Sequence, residues 1–296
     1  MTQPTVSFEF FPPADEAAVQ RLQRVMCRLV RLGPAFFSVT YGADGSTRSR
    51  TEGLVSWIRR QLPVPPAAHL TCVGSTRAQI DALALRWWAL GIRHIVALRG
   101  DPPKGTDRYR PEPGGYCNAA DLVRGIRAAA EFEVSVAGYP EPHPESSSPA
   151  ADIDNLKAKV DAGADRILTQ YFFDNACFLR FRDRCRAAGI TTPIVPGILP
   201  VTDFRRVAEF SRRCGVTIPP RMTAIFEPLD ADARTREMIA AGAAVSQCED
   251  LRREGVNAFH FYTLNRARLS YAICWWLGLR GAADPGAVRV AVEPGA

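Results

Sequence analysis

The sequence is short of most features that would place it in a special class. No run of about eighteen apolar residues occurs, so no membrane-spanning helix is expected. The first strand is expected to begin by Val6, so no signal peptide is expected. Eight cysteines, at 27, 72, 117, 177, 185, 214, 248 and 274, include no Cys-x-x-Cys pair and mostly fall in apolar patterns. Buried free thiols in a reducing cytoplasm are therefore expected, rather than disulfides or zinc. There are only four histidines, none at ligand spacing, and the acidic residues do not cluster, so no metal site is expected.

Concentrated charge is missing too. The formal net charge is +6 over 296 residues, and the arginine pairs 59–60, 205–206, 212–213 and 252–253 are spread over three helical stretches. A nucleic-acid binder gathers its cations into one patch or arm, so that class is not expected. Mild positive potential suits small ligands bearing phosphate or carboxylate. No Gly-x-Gly-x-x-Gly follows a strand, and after Gly105 the residue is Thr106 where a phosphate loop needs lysine. Both nucleotide fingerprints fail.

Apolar material is plentiful. Hydrophobic residues make up 47% of the chain, ample for a large core. They fall into short β-rich runs alternating with stretches of helical spacing. Strands are expected around Val6 to Phe11, Phe36 to Tyr41, Ala67 to Cys72, His94 to Leu98, Val134 to Tyr139, Arg166 to Gln170, Pro193 to Ile198 and Ala258 to Tyr262. Helical stripes separate them, among them Val19, Leu22, Met26 and Leu29, and Ile80, Leu83, Trp87 and Leu90. After strand seven two helices are expected, about 203–214 and 231–254. Eight such units with no break in composition give an α/β fold, a single (β/α)8 barrel over residues 1–296, loosely ordered after about 281. An open doubly wound sheet is the competing architecture.

The first strand carries one carboxylate, Glu9, between Phe8 and Phe10. Alternation points it away from both rings. A charge inside such a strand is costly unless paired, which leaves two readings: a structural ion pair with an arginine, or a general acid near a barrel mouth. Barrel enzymes place their chemistry at the C-terminal ends of the strands. Those ends here read Glu9, Thr40-Tyr41, His69 to Thr71, Arg99-Gly100-Asp101, Tyr139, Gln170 and Tyr262, nearly all able to hydrogen-bond or titrate. His94 and His260 lie within or at the far end of strands and are given no role.

The stretches Ser7 to Pro13, Val39 to Ala43, His69 to Cys72, Ala97 to Asp101, Tyr139 to Glu145, Gln170 to Asp174, Pro196 to Pro200 and His260 to Arg266 resemble, in order, those of the flavin-dependent methylenetetrahydrofolate reductases. The resemblance runs from about residue 6 to 279. It implies a barrel that binds FAD, takes reducing equivalents from NADH or NADPH in a ping-pong cycle and passes them to methylenetetrahydrofolate. It further implies Glu9 as general acid toward the folate N10 and Asp101 beside the flavin and pterin. Gln170, Phe210, Tyr262 and Arg266 would contact substrate, and Thr40 the nicotinamide. Tyr41, Ala43, His69, Arg99, Gly100, Asn118, Ala119, Tyr139, His143, Asp152, Asn155 and Lys159 would form the FAD site.

Two places depart from that pattern. Asn118-Ala119 stand where the family commonly has an aromatic followed by alanine, with Tyr116 shifted toward the loop, and Arg206 replaces a frequent glutamine. The regulatory domain of the larger eukaryotic enzymes is not expected. Other readings are a flavin barrel of the proline-dehydrogenase kind, or a folate- or nucleotide-binding module without redox chemistry. The tryptophan pairs 87–88 and 275–276 cannot each turn both rings inward on a helix, which predicts a homo-oligomer.

Overall fold

The computed structural model describes residues 3–41, 48–102 and 109–281. Eight parallel strands close into a barrel in sequence order: β1 (Thr5–Phe10), β2 (Phe37–Val39), β3 (Pro66–Thr71), β4 (His94–Leu98), β5 (Glu133–Gly138), β6 (Arg166–Tyr171), β7 (Ile194–Ile198) and β8 (Ala258–Tyr262). Closure is made by β1 pairing with both β2 and β8, which sets Glu9 level with Ser38 and Tyr262. The helices are α1 (Glu16–Leu29), α2 (Arg48–Gln61), α3 (Arg77–Ala89), α4 (Ala119–Ala129), α5 (Pro149–Asp161), α6 (Asn175–Ala187), α7 (Phe204–Cys214), α8 (Pro220–Phe226), α9 (Ala233–Arg253) and α10 (Arg268–Trp276). The expected barrel is present. Helix α8 was not expected from the sequence: it has only 7 residues, too few to display a period, and opens on the proline pair 219–220. Ala43 and the tail beyond Gly281 lie outside the described residues.

The pleat sorts side chains into two compartments. Phe8, Phe10, Phe37, Val39 and Phe261 join Met26, Leu29 and other helix residues in the apolar layer around the barrel. Inside, Phe36, Ala67, Val96, Leu168 and Val195 form a separate small cluster. Below it Arg166 lies 5.1 Å from the Phe36 ring centre and pairs with Glu133 at 2.5 Å. Both residues open their strands, so the N-terminal end of the barrel is filled. The other end is left for ligands.

Helix α7 borders that open end through Phe210. It starts just after β7, with Asp203 capping it through the Arg206 N–H. It stops at Gly215, whose φ of 70° is left-handed. There the chain meets the loop between β5 and α5: a Cβ on Gly215 would stand 3.1 Å from Pro144, and the Thr217 N–H donates to both Glu141 carboxylate oxygens (3.1 and 2.9 Å). The helix is thus tied at both ends.

The two tryptophan pairs differ. Trp87 is fully buried and donates to Glu52, while Trp88 is covered by Phe132 and by Arg93, 3.8 Å from its ring centre. Trp275 and Trp276 are 45% and 67% exposed. Only the second pair leaves apolar area open.

Tyr116 explains a glycine inside α4. Its hydroxyl donates to Asp81 at 2.6 Å, and a Cβ on Gly125 would fall 1.9 Å from that oxygen. Gly125→Ala removes a helix-weakening glycine yet must displace the tyrosine. Overpacking of this kind costs about 1–3 kcal/mol, so the variant is expected to unfold at lower denaturant concentration, as equilibrium urea unfolding would show.

Candidate functional site

A cavity of about 700 Å³ opens at the C-terminal ends of the strands. Its wall holds Glu9, Thr40, Tyr41, His69, Arg99, Gly100, Asp101, Asn118, Ala119, Tyr139, His143, Asp152, Asn155, Lys159, Gln170, Phe210 and Tyr262, so the structure brings nearly all the sequence-predicted residues together. Arg266 is the exception among the described residues. It is exposed on the loop after β8 and does not line the cavity, although Leu264, two residues earlier, does. A second cavity, about 860 Å³, lies among α6, α8 and α9; of the predicted residues it takes none. Chemistry rather than size selects the first.

At the floor, Glu9 meets histidines and not the arginine of an ion pair. Its Oε2 lies 3.4 Å from His69 Nε2 and 3.6 Å from His260 Nε2. His260 faces the interior because it sits two residues before Tyr262 on β8, paired with Ser7. Its Nδ1 is 2.7 Å from the Ser7 hydroxyl, which fixes the ring. The sequence reading gave His260 no part. The signal lay in register, since Ser7, Glu9, His260 and Tyr262 all face inward once β1 pairs with β8. Burial holds the His69 imidazole below its ordinary pKa against the pull of Glu9, and His260 lowers it further. His94, bonded to the Ser135 hydroxyl at 2.8 Å, is pushed much lower by burial and by Arg166, and stays neutral below the site.

One wall carries charge of both signs, Arg99 and Lys159 among Asp101, Glu145 and Asp152. Lys159 is 4% exposed and donates to the Ala137 carbonyl at 2.5 Å. Burial pulls its pKa down to about 8, opposed by Asp152, with Arg99 lowering it further. Arg99 bonds the Gly100 carbonyl (3.2 Å) and Glu145 (2.6 Å), and lies 4.8 Å from the Tyr109 ring centre. Gly100 has φ 90°, and a Cβ there would stand 2.6 Å from Val73, so only glycine fits. Asp152 accepts from the His143 N–H at 2.8 Å, and the His143 ring meets Tyr139 edge-on at 4.8 Å. Asn118 caps α4 by accepting from the Asp121 N–H, while Tyr116 is turned away into the helix layer. The departure at this loop therefore leaves the wall there with a small polar side chain.

The opposite wall is aromatic. Tyr262 donates to the Thr169 carbonyl at 2.8 Å, and burial keeps its phenol protonated well beyond the ordinary range. Its ring passes over Gly197, where a Cβ would come within 2.5 Å of it. Phe210 stacks on Tyr171 at 6.0 Å, and Tyr171 is pinned to the Ser211 hydroxyl at 3.0 Å. Gln170 accepts from the Tyr171 N–H at 3.0 Å through its amide oxygen.

The family model described as methylenetetrahydrofolate reductase matches residues 1–278. The chain belongs to this family. It is 50% identical over 278 residues to the 5,10-methylenetetrahydrofolate reductase of Salmonella typhimurium and 49% identical to that of Escherichia coli, covering 94% of this chain and 92% of either relative. It is 38% identical to methylenetetrahydrofolate reductase (NADH) 1 of Arabidopsis thaliana, of which the match covers 49%. Among solved structures, a Clostridium thermocellum protein described as binding two copies of 5-methyl-5,6,7,8-tetrahydrofolic acid shares the fold, with a TM-score of 0.61 at 14% identity over 93% of this chain and 94% of that one. Family membership supports the reductase activity. Among the described residues, no helix is long and apolar enough to cross a membrane.

Lys159 supplies a pH test. Below about pH 8 it is charged in both folded and unfolded chains, so the cost of burying that charge is fully present. Between about 8 and its ordinary value near 10.5, only the unfolded chain keeps the proton, and folding becomes more favourable as pH rises. Lys159→Met is expected to stabilise the ligand-free protein at pH 7, by up to ~3 kcal/mol. Its advantage over wild type should shrink by pH 10 in chemical denaturation at both pH values.

Proposed function

We propose that this chain reduces 5,10-methylenetetrahydrofolate to 5-methyltetrahydrofolate with FAD as its resident cofactor and Glu9 as the general acid. The observation that carries the reading is Glu9 between His69 and His260 at the floor of a cavity whose wall carries Arg99 and Lys159. The residues present suit FAD. Arg99 and Lys159 supply cations for a pyrophosphate, the backbone at Gly100 allows close approach, and the buried Thr71 hydroxyl lacks a hydrogen-bond partner among the described residues. Tyr41, His69, Asn118, Ala119, Tyr139, His143, Asp152 and Asn155 would complete the holding set, with Ala43 beyond the described residues. FAD, when bound, would take a hydride from NADH or NADPH and return it to the folate carbon in a second step.

The chain's own contribution to the second step is acid catalysis and positioning. N10 of the folate is a poor leaving group unless protonated. A proton given from Glu9 to that nitrogen opens the five-membered ring and leaves an electrophilic carbon. The two imidazoles keep the carboxyl from rotating away, and Ser7 keeps His260 in place. Gln170, Tyr262 and Asp101 would receive the pterin, Phe210 and Tyr171 would offer stacking faces, and Thr40 would meet the nicotinamide. Arg266 would act from the rim. A cytoplasmic setting and self-association through the exposed Trp275 and Trp276 complete the reading; a monomeric mass in sedimentation at micromolar concentration would remove the self-association.

The protein is expected to purify yellow. Extraction that yields no flavin, with no rebinding of added FAD, would leave only a binding module. Glu9→Gln keeps the shape of the side chain but has no proton to give. Reduction of the flavin by the nicotinamide should change little, while reoxidation by methylenetetrahydrofolate should slow by about 10²–10⁴-fold. Stopped-flow measurement of the two steps separates the outcomes, and equal losses would make Glu9 a positioning residue.

A further inference from the structure

The larger of the two cavities, about 860 Å³, has no part in the proposed reaction. Pro140, Pro142, Pro149, Pro200, Pro219 and Pro220 all stand in its wall, gathered from separate loops and helix starts. Proline fixes its own φ, so much of this wall is stiff backbone. Phe173, Cys177, Val201 and Met222 line it with apolar surface, and the small Ala243 and Ala244 of α9 take up little of it. The segment from Pro140 to Pro142 is a shared partition, because Tyr139 and His143 on either side of it line the first cavity.

The charges in this wall are unequally committed. Each of its carboxylates is engaged: Glu141 with the Thr217 N–H, Asp174 with the Ala176 N–H at 3.0 Å, and Asp250 with Arg253. The arginines are freer. Arg180 and Arg184 are exposed neighbours on one face of α6, a turn or two beyond Cys177. Arg184 has one long bond, 3.4 Å to the Pro140 carbonyl, while Arg180 and Arg221 have no ion pair among the described residues. Asn175 adds an acceptor. Its Nδ2 donates to the Gln247 carbonyl at 3.0 Å, which fixes the amide, and its Oδ1 is buried with no hydrogen-bond partner among the described residues. Buried acceptors are nearly always paired, so this one calls for a donor. The thiol of Cys177 is not poised to react, since burial pushes it up to about 11.

We propose that the second cavity is a binding site for a small ring-bearing oxyanion. Arg180 and Arg184 take the charge, Phe173 and Met222 the ring, and Asn175 an N–H or O–H donor. The site serves binding rather than bond-making, and it stands whether or not the folate reading does.

Calorimetric titration of the full chain as purified tests this with four probes. Indole-3-acetate and 3-indolyl phosphate carry ring, N–H and charge. Indole-3-acetamide lacks the charge, and 1-naphthylacetate lacks the donor. Indole-3-acetate is expected to bind at a single site with a dissociation constant of about 1 mM or below. An exposed ion pair contributes up to about fivefold, so the acetamide should bind about fivefold to tenfold more weakly. Loss of the hydrogen bond should weaken 1-naphthylacetate by about fivefold. Arg180→Gln with Arg184→Gln should cost both indole anions about tenfold and leave the acetamide unchanged. The tighter of the two anions tells whether the native ligand bears a carboxylate or a phosphate. Ala243→Trp, at an exposed position of α9, fills the cavity and should abolish binding, whereas Phe210→Ala in the first cavity should leave it intact. Failure of both anions to bind, equal binding of the acetamide or of 1-naphthylacetate, or binding that survives Ala243→Trp overturns the proposal.

Discussion

A side chain on a strand of a closed barrel has two destinations, and closure by β1 against β8 decides which residues share each. That constraint underlies the whole site. It drives Phe8 and Phe10 out into the helix layer and, by the same stroke, leaves Glu9 in the interior with Ser7 below it. It also brings His260 level with Ser7 and Tyr262 level with Glu9 from the far end of the chain. A slip of one residue in the β1–β8 register would send Glu9 into the apolar layer and a phenylalanine into the cavity.

The filled N-terminal end makes the arrangement directional. Phe36, Arg166 and Glu133 close one end, so ligands reach Glu9 only from the mouth. There the walls divide the work. The β4–β5 side with α5 carries charged groups of both signs, and the β6–β8 side carries aromatic rings held by hydrogen bonds to Thr169 and Ser211. A ligand with a charged end and a flat, partly apolar end meets a matching wall in one orientation.

Much of this was legible in the sequence. The eight β-rich runs, their helical separators and the polar residues at the strand ends are local signals, and the resemblance of those ends to one family carried the rest. The misses share a cause. His260 could not be placed beside Glu9 without knowing register across 251 positions, a long-range fact that alternation alone does not give. Glu145 lies in a loop whose conformation decides that it meets Arg99. Helix α8 is too short to show a period, and α7 reads as an ordinary amphipathic helix although its Phe210 reaches the cavity. Arg266, named from its place in a motif as a residue that reaches the folate end, stands exposed on the loop after β8, beyond the turn through Leu264 and Asn265, both with positive φ.

The buried ammonium of Lys159 has a consequence for the life of the molecule as well as for its ligands. The Ala137 carbonyl and the nearby Asp152 offset only part of the cost of burying that charge, so the fold is weaker without an anionic ligand than with one. Any anion that settles beside it shifts the balance toward the folded chain by mass action. Proteases act on the small unfolded fraction, and a shift of one or two kcal/mol changes abundance several-fold. The binding event that equips the site would then also set how long each copy persists, and a shortage of the bound anion would be read out as faster turnover of the protein.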